Sequence, residues 1–365
     1  MRSRRASTIA TTIAMQFDLQ RAEFRLTVDV EVPGHGVTAL FGRSGCGKTT
    51  LLRCVAGLEP AVRGHLRVHD QVWQDSACFI PAHQRPVGYV FQEGQLFPHL
   101  SVLGNLLYGY RRIPAERRIV QPDDVTRLLG LENLLQRRIG QISGGQRQRV
   151  AMGRALLTSP QLLLMDEPLA ALDQISKAEI LPYLERLHEQ LSIPVLYVSH
   201  AVEEVARLAD HMLLMEDGRV RAQGPLRDMI TRADLPLVHG EQAAAILIGE
   251  LSRHLDEEHL SCIEVDGATL FVPRVSDRSR GPLRVRILAR DVSVARQAPL
   301  PSSILNCLQC EIVEIVDDPH PGHCLLKLRL GDQHLLARIT LRSRAQLNLA
   351  VGDPVWASVK GVALS

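Results

Sequence analysis

Apolar and polar residues alternate over residues 16–32, with Phe24, Leu26, Val28, Val30 and Val32 on one face, and this period of two predicts an antiparallel strand pair. Predominantly apolar runs at Val37–Phe41, 87–91, 162–165 and 194–198 predict buried strands. Residues 49–56, 105 to about 135 and 146–157 instead carry a helical period. Strands alternating with helices predict an α/β layer architecture, and the long helical stretch reads as an insertion between strands of its sheet. A short strand region at 66–73 and a hairpin signal, Glu216-Asp217-Gly218 between residues 212–215 and 219–221, complete this part. Beyond Gly224-Pro225 and a short amphipathic helix the pattern turns to β alone, at 261–265, 269–272, 285–289 and several segments after them. That change predicts a second, all-β domain.

The first strand-to-helix junction of the α/β part is Gly42-Arg43-Ser44-Gly45-Cys46-Gly47-Lys48-Thr49, which meets every fixed position of the G-x-x-x-x-G-K-[ST] phosphate loop in the setting that motif needs. Glycines let the backbone aim its N–H groups at β- and γ-phosphates, Lys48 adds a point charge, and the Thr49 hydroxyl can ligate Mg²⁺; Thr50 belongs to the same nucleotide-binding set. The chain therefore binds a nucleoside triphosphate. Phe24 is the aromatic that could stack on adenine, although an alternating Phe also fits a core position. Cys46 lies at a helix N-terminus inside an anion-binding loop, an environment that activates thiols and predicts preferential alkylation there.

Other polar residues stand at strand ends. The run 87–91 ends on Gln92, which can ligate Mg²⁺ or orient water. The run 162–165 ends on Asp166-Glu167-Pro168, with Asp173 six residues beyond Glu167, and two carboxylates at the C-terminal end of a parallel strand suit metal and water chemistry. The run 194–198 ends in Ser199-His200. Ser143 is a good N-cap for a helix starting after Gly144-Gly145, with Gln146 its first residue, and such a helix N-terminus is an anion site.

Taken in this order, these elements make residues 15–235 resemble the nucleotide-binding domain of the ABC transporter ATPases, with Ile142 where that family usually has Leu. The resemblance implies an α/β P-loop NTPase whose helical subdomain spans about residues 93–158, hydrolysing ATP with Mg²⁺. Thr49, Gln92 and Asp166 would then serve the metal, Glu167 would polarise the attacking water, and His200 would donate a hydrogen bond toward the γ-phosphate. It further implies a head-to-tail homodimer, in which Ser143, Gly144, Gly145 and Gln146 of one chain grip ATP held by the other and Asp173 crosses the interface. Two membrane-embedded permease subunits would dock near Leu96-Phe97-Pro98-His99-Leu100, with core packing of Phe97 as the competing reading.

In the last third, Ser302-Ser303-Ile304-Leu305-Asn306 and Trp356-Ala357-Ser358-Val359-Lys360 resemble the molybdate-binding (MOP/TOBE) type of small, OB-like β-barrel, expected at 298–365 after a linker with β-segments over 236–297. The whole chain then resembles the ATP-binding subunits of molybdate importers. Such subunits sit peripherally on the cytoplasmic face of the inner membrane and are served, through the permease, by a periplasmic molybdate-binding protein. Ser302, Ser303, Asn306 and Lys360 are the candidate oxyanion ligands, against which Leu305 stands where a basic residue is common. Cys307-x-x-Cys310 with His320, His323 and Cys324 superficially matches zinc spacing. A strand from Cys307 sets the two thiols on opposite faces, and about 20 Å separates Cys310 from the turn histidines.

Composition narrows the choice. Lys plus Arg total 42 against 40 Asp plus Glu, which leaves no basic footprint for nucleic acid and disfavours an ABC ATPase of DNA repair or translation. A sulfate, ferric-ion or sugar importer ATPase is the nearer alternative. Seven scattered cysteines make no disulfide framework. No apolar run approaches the ~18 residues of a membrane-spanning helix. Residues 1–14, which hold three arginines, read as a disordered or misassigned leader before Met15.

Overall fold

The computed structural model describes residues 12–190, 193–235, 242–275, 281–300 and 302–364. Its contacts divide the chain into two compact units, 1–224 and 225–365.

In the first unit the alternating segment forms β1 (Thr12–Arg21) and β2 (Phe24–Pro33), paired antiparallel from Thr12↔Pro33 to Arg21↔Phe24. There follow β3 (Val37–Phe41), α1 (Lys48–Val55), β4 (Arg63–Val68), β5 (Gln71–Gln74), β6 (Val87–Val90), α2 (Val102–Tyr110), α3 (Pro122–Leu128) and α4 (Gly144–Leu156). The unit continues with β7 (Leu162–Asp166), α5 (Gln174–Gln190), β8 (Val195–Ser199), α6 (Val202–Leu208), β9 (His211–Glu216) and β10 (Arg219–Pro225). One ten-stranded sheet runs β5-β4-β1-β2-β10-β9-β3-β8-β7-β6, and β9, β3, β8, β7 and β6 are mutually parallel. Parallel strands end on one edge, so the registers Phe41↔Ser199, Asp166↔Val198 and Val90↔Met165 bring the ends of β3, β8, β7 and β6 to one level. That edge holds the chemistry predicted at the strand ends.

Helix α1 buries Leu51, Leu52, Cys54 and Val55 against Leu40, Leu164 and Leu196 of the sheet, each fully buried aliphatic side chain being worth about 1.5–3 kcal/mol. Its C-terminal carbonyls are satisfied by a buried arginine: Arg85 donates to Cys54 O (3.0 Å) and Val55 O (2.7 Å), and also to Ile80 O and Gln74 Oε1. Burial lowers the Arg85 guanidinium to about 10, which leaves it charged at neutral pH. Gly57 makes room for it, because a Cβ there would stand 2.7 Å from Arg85 Nε at a φ of +74°.

Three expectations change here. The sheet begins at Thr12, so residues 12–14 are not leader: Ile13 continues the alternation, is fully buried, and pairs with both Val32 and Val68. Residues 1–11 of the expected leader lie outside the described residues. The helical insertion is two separate helices, because Pro114 cannot continue α2 and a short 3₁₀ turn, Ala115–Arg117, takes its place. Helix α4 starts at Gly144, two residues earlier than its apolar period, because Ser143 caps it.

The second unit contains α7 (Leu226–Met229), β11 (Ala244–Leu255), β12 (Leu260–Val265), β13 (Ala268–Pro273), β14 (Leu283–Leu288), β15 (Val292–Ala295), β16 (Asn306–Asp317) and β17 (His323–Leu330). It ends with β18 (Gln333–Thr340), α8 (Leu341–Gln346), β19 (Pro354–Val359) and β20 (Ala363–Leu364). Its strands make two five-stranded sheets, β13-β12-β11-β14-β20 and β15-β19-β16-β17-β18. The β-dominated architecture is as expected, with α8 added between β18 and β19, but the partition at 297/298 is not. β15 joins the later sheet and β20 returns to β14, while Leu247, Ile263 and Val285 share one core with Leu308, Leu326 and Ala357. Residues 242–275 and 281–297 are thus half of a folded unit, and the rest of the expected linker, 236–241 and 276–280, lies outside the described residues.

Candidate nucleotide and metal site

Between β3 and α1 the loop turns through Gly45 (φ +81°) and Gly47 (φ +105°), conformations that side chains resist. A Cβ on Gly47 would stand 2.7 Å from Phe24 Cζ, so the Phe24 ring lies against the start of α1. Lys48 is buried and donates to Gly42 O (2.8 Å) and Arg43 O (2.9 Å), which holds its ammonium across the loop. Cys46 departs from expectation. The residue is 5% exposed and packs in the core beside α1, with its Sγ accepting from Lys48 Nζ at 3.9 Å, so burial rather than distance from the loop's cation shields its thiol.

At the end of β7 both oxygens of Asp166 are engaged: Thr49 Oγ1 donates to Oδ1 (2.9 Å) and Tyr89 Oη to Oδ2 (3.1 Å). Burial pushes the Asp166 carboxyl above its ordinary value, and the two hydrogen bonds oppose that shift. Burial also raises the Tyr89 hydroxyl, which keeps it a donor. Glu167 follows at a φ of +44°, uncommon for a side-chain-bearing residue, with its N–H bonded to Val198 O (3.1 Å) on β8. Its Oε2 lies 3.3 Å from His200 Nδ1.

One cavity of about 530 Å³ is lined by Phe24, Ser44, Gly45, Gly47, Lys48, Thr49, Thr50, Gln92 and Glu167, with Arg21 in addition. Tertiary structure thus gathers nine of the phosphate-loop, hairpin and strand-end candidates on one surface, while Gly42, Arg43, Cys46, Asp166 and His200 stand outside its lining. Thr49, Asp166 and Gln92 offer oxygen ligands, the donor set that suits Mg²⁺.

Ser143, Gly144, Gly145 and Gln146 do not line this cavity. Ser143 Oγ accepts from Gln146 N (3.2 Å) and Gln146 Oε1 accepts from Ser143 N (3.0 Å), a reciprocal box that closes the start of α4. Asp173 is exposed and caps α5 through Ser176 N (2.8 Å), a bond that holds its carboxyl below the usual range. Phe97 is half-buried, its ring tilted against Tyr108 with centroids 4.2 Å apart, and both its N–H and its carbonyl are bonded by the Asn105 amide.

Residues invisible as candidates in the sequence hold this arrangement together. Tyr89 was masked by its apolar run, its hydroxyl being the one signal that it needed a partner. Arg154 of α4 donates to Gln95 O (2.9 Å) and Gly94 O (3.0 Å) and covers the Phe97 ring, tying α4 to the segment after Gln92.

In the second unit Asn306 is a strand tie rather than a side-chain ligand: buried, it bonds Phe271 N (2.7 Å) and Phe271 O (2.9 Å). Ser302 and Ser303 are exposed, Ser302 Oγ accepting from Ile304 N. Pairing of Asn306 with Val359 places that turn beside the exposed Lys360. Cys310 is buried on β16, its thiol pushed up to about 12, while His320 and His323 face each other across 2.9 Å in the next turn.

A phosphate loop and an Asp-Glu strand end meeting on a parallel sheet edge, beside a helical insertion capped by Ser143, are the architecture of an ABC transporter ATPase, and the ABC transporter family model matches residues 26–170. The TOBE domain model matches residues 302–365. The chain belongs to the ModC family of molybdenum import ATP-binding proteins. It is 54% identical over 357 residues to the molybdenum import ATP-binding protein ModC of Thiobacillus denitrificans, covering 96% of this chain and 97% of that one. To ModC 1 of Azotobacter vinelandii it is 52% identical over 357 residues, covering 97% and 99%. Among solved structures, cbiO1 of Clostridium perfringens, part of the ABC transporter complex cbiONQ, shares the fold at a TM-score of 0.53 and 24% identity over 61% of this chain and 91% of that one. The ADP conformation of MJ1267, an ATP-binding cassette of an ABC transporter, shares it at 0.52 and 24% identity over 63% and 98%. As a member of this family the chain is an ATP-hydrolysing importer subunit.

Proposed function

We propose that this chain hydrolyses Mg-ATP to drive molybdate uptake, as a head-to-tail homodimer on the cytoplasmic face of the inner membrane. Two permease subunits and a periplasmic molybdate-binding protein complete the machine. Among the described residues no helix is long and apolar enough to cross a membrane, which fits a subunit that leaves spanning to others. The substrate rests on the names of relatives about half identical over nearly the whole chain.

The observation that carries the hydrolytic reading is Glu167, held beside Asp166 at a strained backbone angle on the wall of the phosphate-loop cavity. In this reading Thr49 and Asp166, with Gln92, would hold Mg²⁺, which when bound neutralises phosphate charge. Lys48 exchanges the carbonyls of Gly42 and Arg43 for phosphate oxygens. Glu167 orients the attacking water and takes up its proton, while His200 steadies Glu167 Oε2 and donates toward the γ-phosphate. Ser143 to Gln146, lying off the cavity of their own chain, serve ATP bound to the partner, and Asp173 joins them at the interface. In the second unit an oxyanion would depend on Lys360 and backbone N–H groups of the 302–305 turn, with the Ser302 and Ser303 hydroxyls beside them, because the Asn306 amide is spent on Phe271.

Glu167→Gln tests the assignment: turnover should fall by ~10²-fold or more with nucleotide binding retained, and the ATP-bound dimer should persist on chromatography. Turnover at the unmodified rate would sink it. Labelled molybdate uptake in a deletion strain should return with the unmodified gene and not with this variant. Restored uptake of sulfate in place of molybdate would transfer the substrate assignment.

A further inference from the structure

Arg21 and Phe24 are the last facing pair of the β1–β2 hairpin, so their side chains leave the same face side by side. Both line the cavity that Lys48, Thr49, Gln92 and Glu167 also line. The Arg21 side chain is half exposed, and one edge of its guanidinium is bound to Glu59, whose other oxygen holds Arg53 of α1. Glu59 itself is 5% exposed. A carboxylate so buried is tolerated only while its cations stay in place, so Glu59 fixes the position of the Arg21 plane.

We propose that Arg21 is a nucleotide-specificity residue: its guanidinium and the Phe24 ring together form the slot for the base and ribose, and Arg21 touches the adenosine part of the nucleotide, not the phosphates. In the proposed function, on which this inference rests, the phosphates take the loop amides and Lys48. A guanidinium with one edge occupied keeps its flat face for stacking on a ring and its remaining N–H groups for ring nitrogens or ribose oxygens. An aromatic ring alone accepts any base, since every base has a π-face. Directional N–H groups beside it give the slot a means of choosing.

The test measures binding of Mg-ADP, Mg-GDP and Mg-tripolyphosphate to the full chain carrying Arg21→Ala or Arg21→Lys. Both variants should weaken ADP by about tenfold and narrow the ADP-over-GDP preference, since lysine keeps the charge but loses the plane. Tripolyphosphate, which lacks base and ribose, should bind within about twofold of the unmodified protein. An equal loss for tripolyphosphate would make Arg21 a phosphate ligand, and unchanged ADP affinity would show no contact; either overturns the proposal. Arg53→Ala removes the other arm of the same buried carboxylate and separates folding from contact. ADP affinity within about twofold is expected for that variant, and a loss equal to that of Arg21→Ala would assign the effect to the hairpin's structure and overturn the proposal.

Discussion

Tyr89 donates its hydroxyl to Asp166 across two adjacent parallel strands at 3.1 Å, on the carboxylate oxygen that Thr49 leaves free. A buried acid is thereby kept ionisable by two neutral donors. Removing either donor leaves burial less opposed.

Tyr89→Phe should therefore raise the Asp166 carboxyl further and move the acid limb of the ATPase pH profile to higher pH. The sign follows from the hydrogen bond's lowering effect, which the variant removes. The same pH dependence acts on the fold. A carboxyl held above its unfolded value stabilises fully at low pH, and that contribution is lost as pH rises through the folded value. An acid limb that does not move, measured as kcat/KM against pH, would refute the assigned bond.

Arg154 binds the carbonyls of Gly94 and Gln95 from α4, the helix that Ser143 opens. Arg154→Met should loosen the segment after Gln92 and lower ATPase activity by roughly tenfold, because a misplaced metal or water ligand is costly in rate. Hydrogen exchange in peptides covering residues 92–100 should rise. Protection equal to the unmodified protein's would show that the segment holds itself.

Arg85→Met removes four hydrogen bonds made inside the core, including both at the C-terminal end of α1. Leaving those carbonyls unsatisfied should cost about 2–4 kcal/mol in denaturant unfolding, even though methionine fills much of the volume. A loss under about 0.5 kcal/mol would mean that water replaces the guanidinium.

Thiol labelling should start at Cys78, the exposed cysteine among the described residues. Cys54 and Cys310, both buried with thiols pushed up to about 12, should stay unlabelled at neutral pH until the protein unfolds. Cys46, buried beside α1, should label slowly with or without ATP. Rapid, ATP-protected alkylation of Cys46, followed by mass spectrometry, would reverse this and place its sulfur in the phosphate site.

The sequence by itself determined what depends on near neighbours. Period-two alternation specified β1 and β2 to within a few residues, and the glycines of the phosphate loop announced their own left-handed turns. Ser143 ahead of Gly144-Gly145 was readable as an N-cap, and its hydroxyl does accept from Gln146 N. Gln92, Asp166, Glu167 and His200 were readable because each follows an apolar strand, and parallel strands must bring such ends to one edge. Pairings between distant residues had no such local cause. Tyr89 meets Asp166 from 77 residues away, Arg21 meets Glu59 from 38, and Arg154 meets Gly94 from 60. Neither partner's immediate neighbours differ in pattern from those of an ordinary core tyrosine or surface arginine. The role of Asn306 likewise depended on Phe271 arriving from β13, and the extent of the second unit on β15 and β20 each joining the sheet built mainly by the other half. Tertiary structure decided these points because a buried hydrogen-bonding group takes the partner that packing supplies, and chain distance places no limit on which one that is.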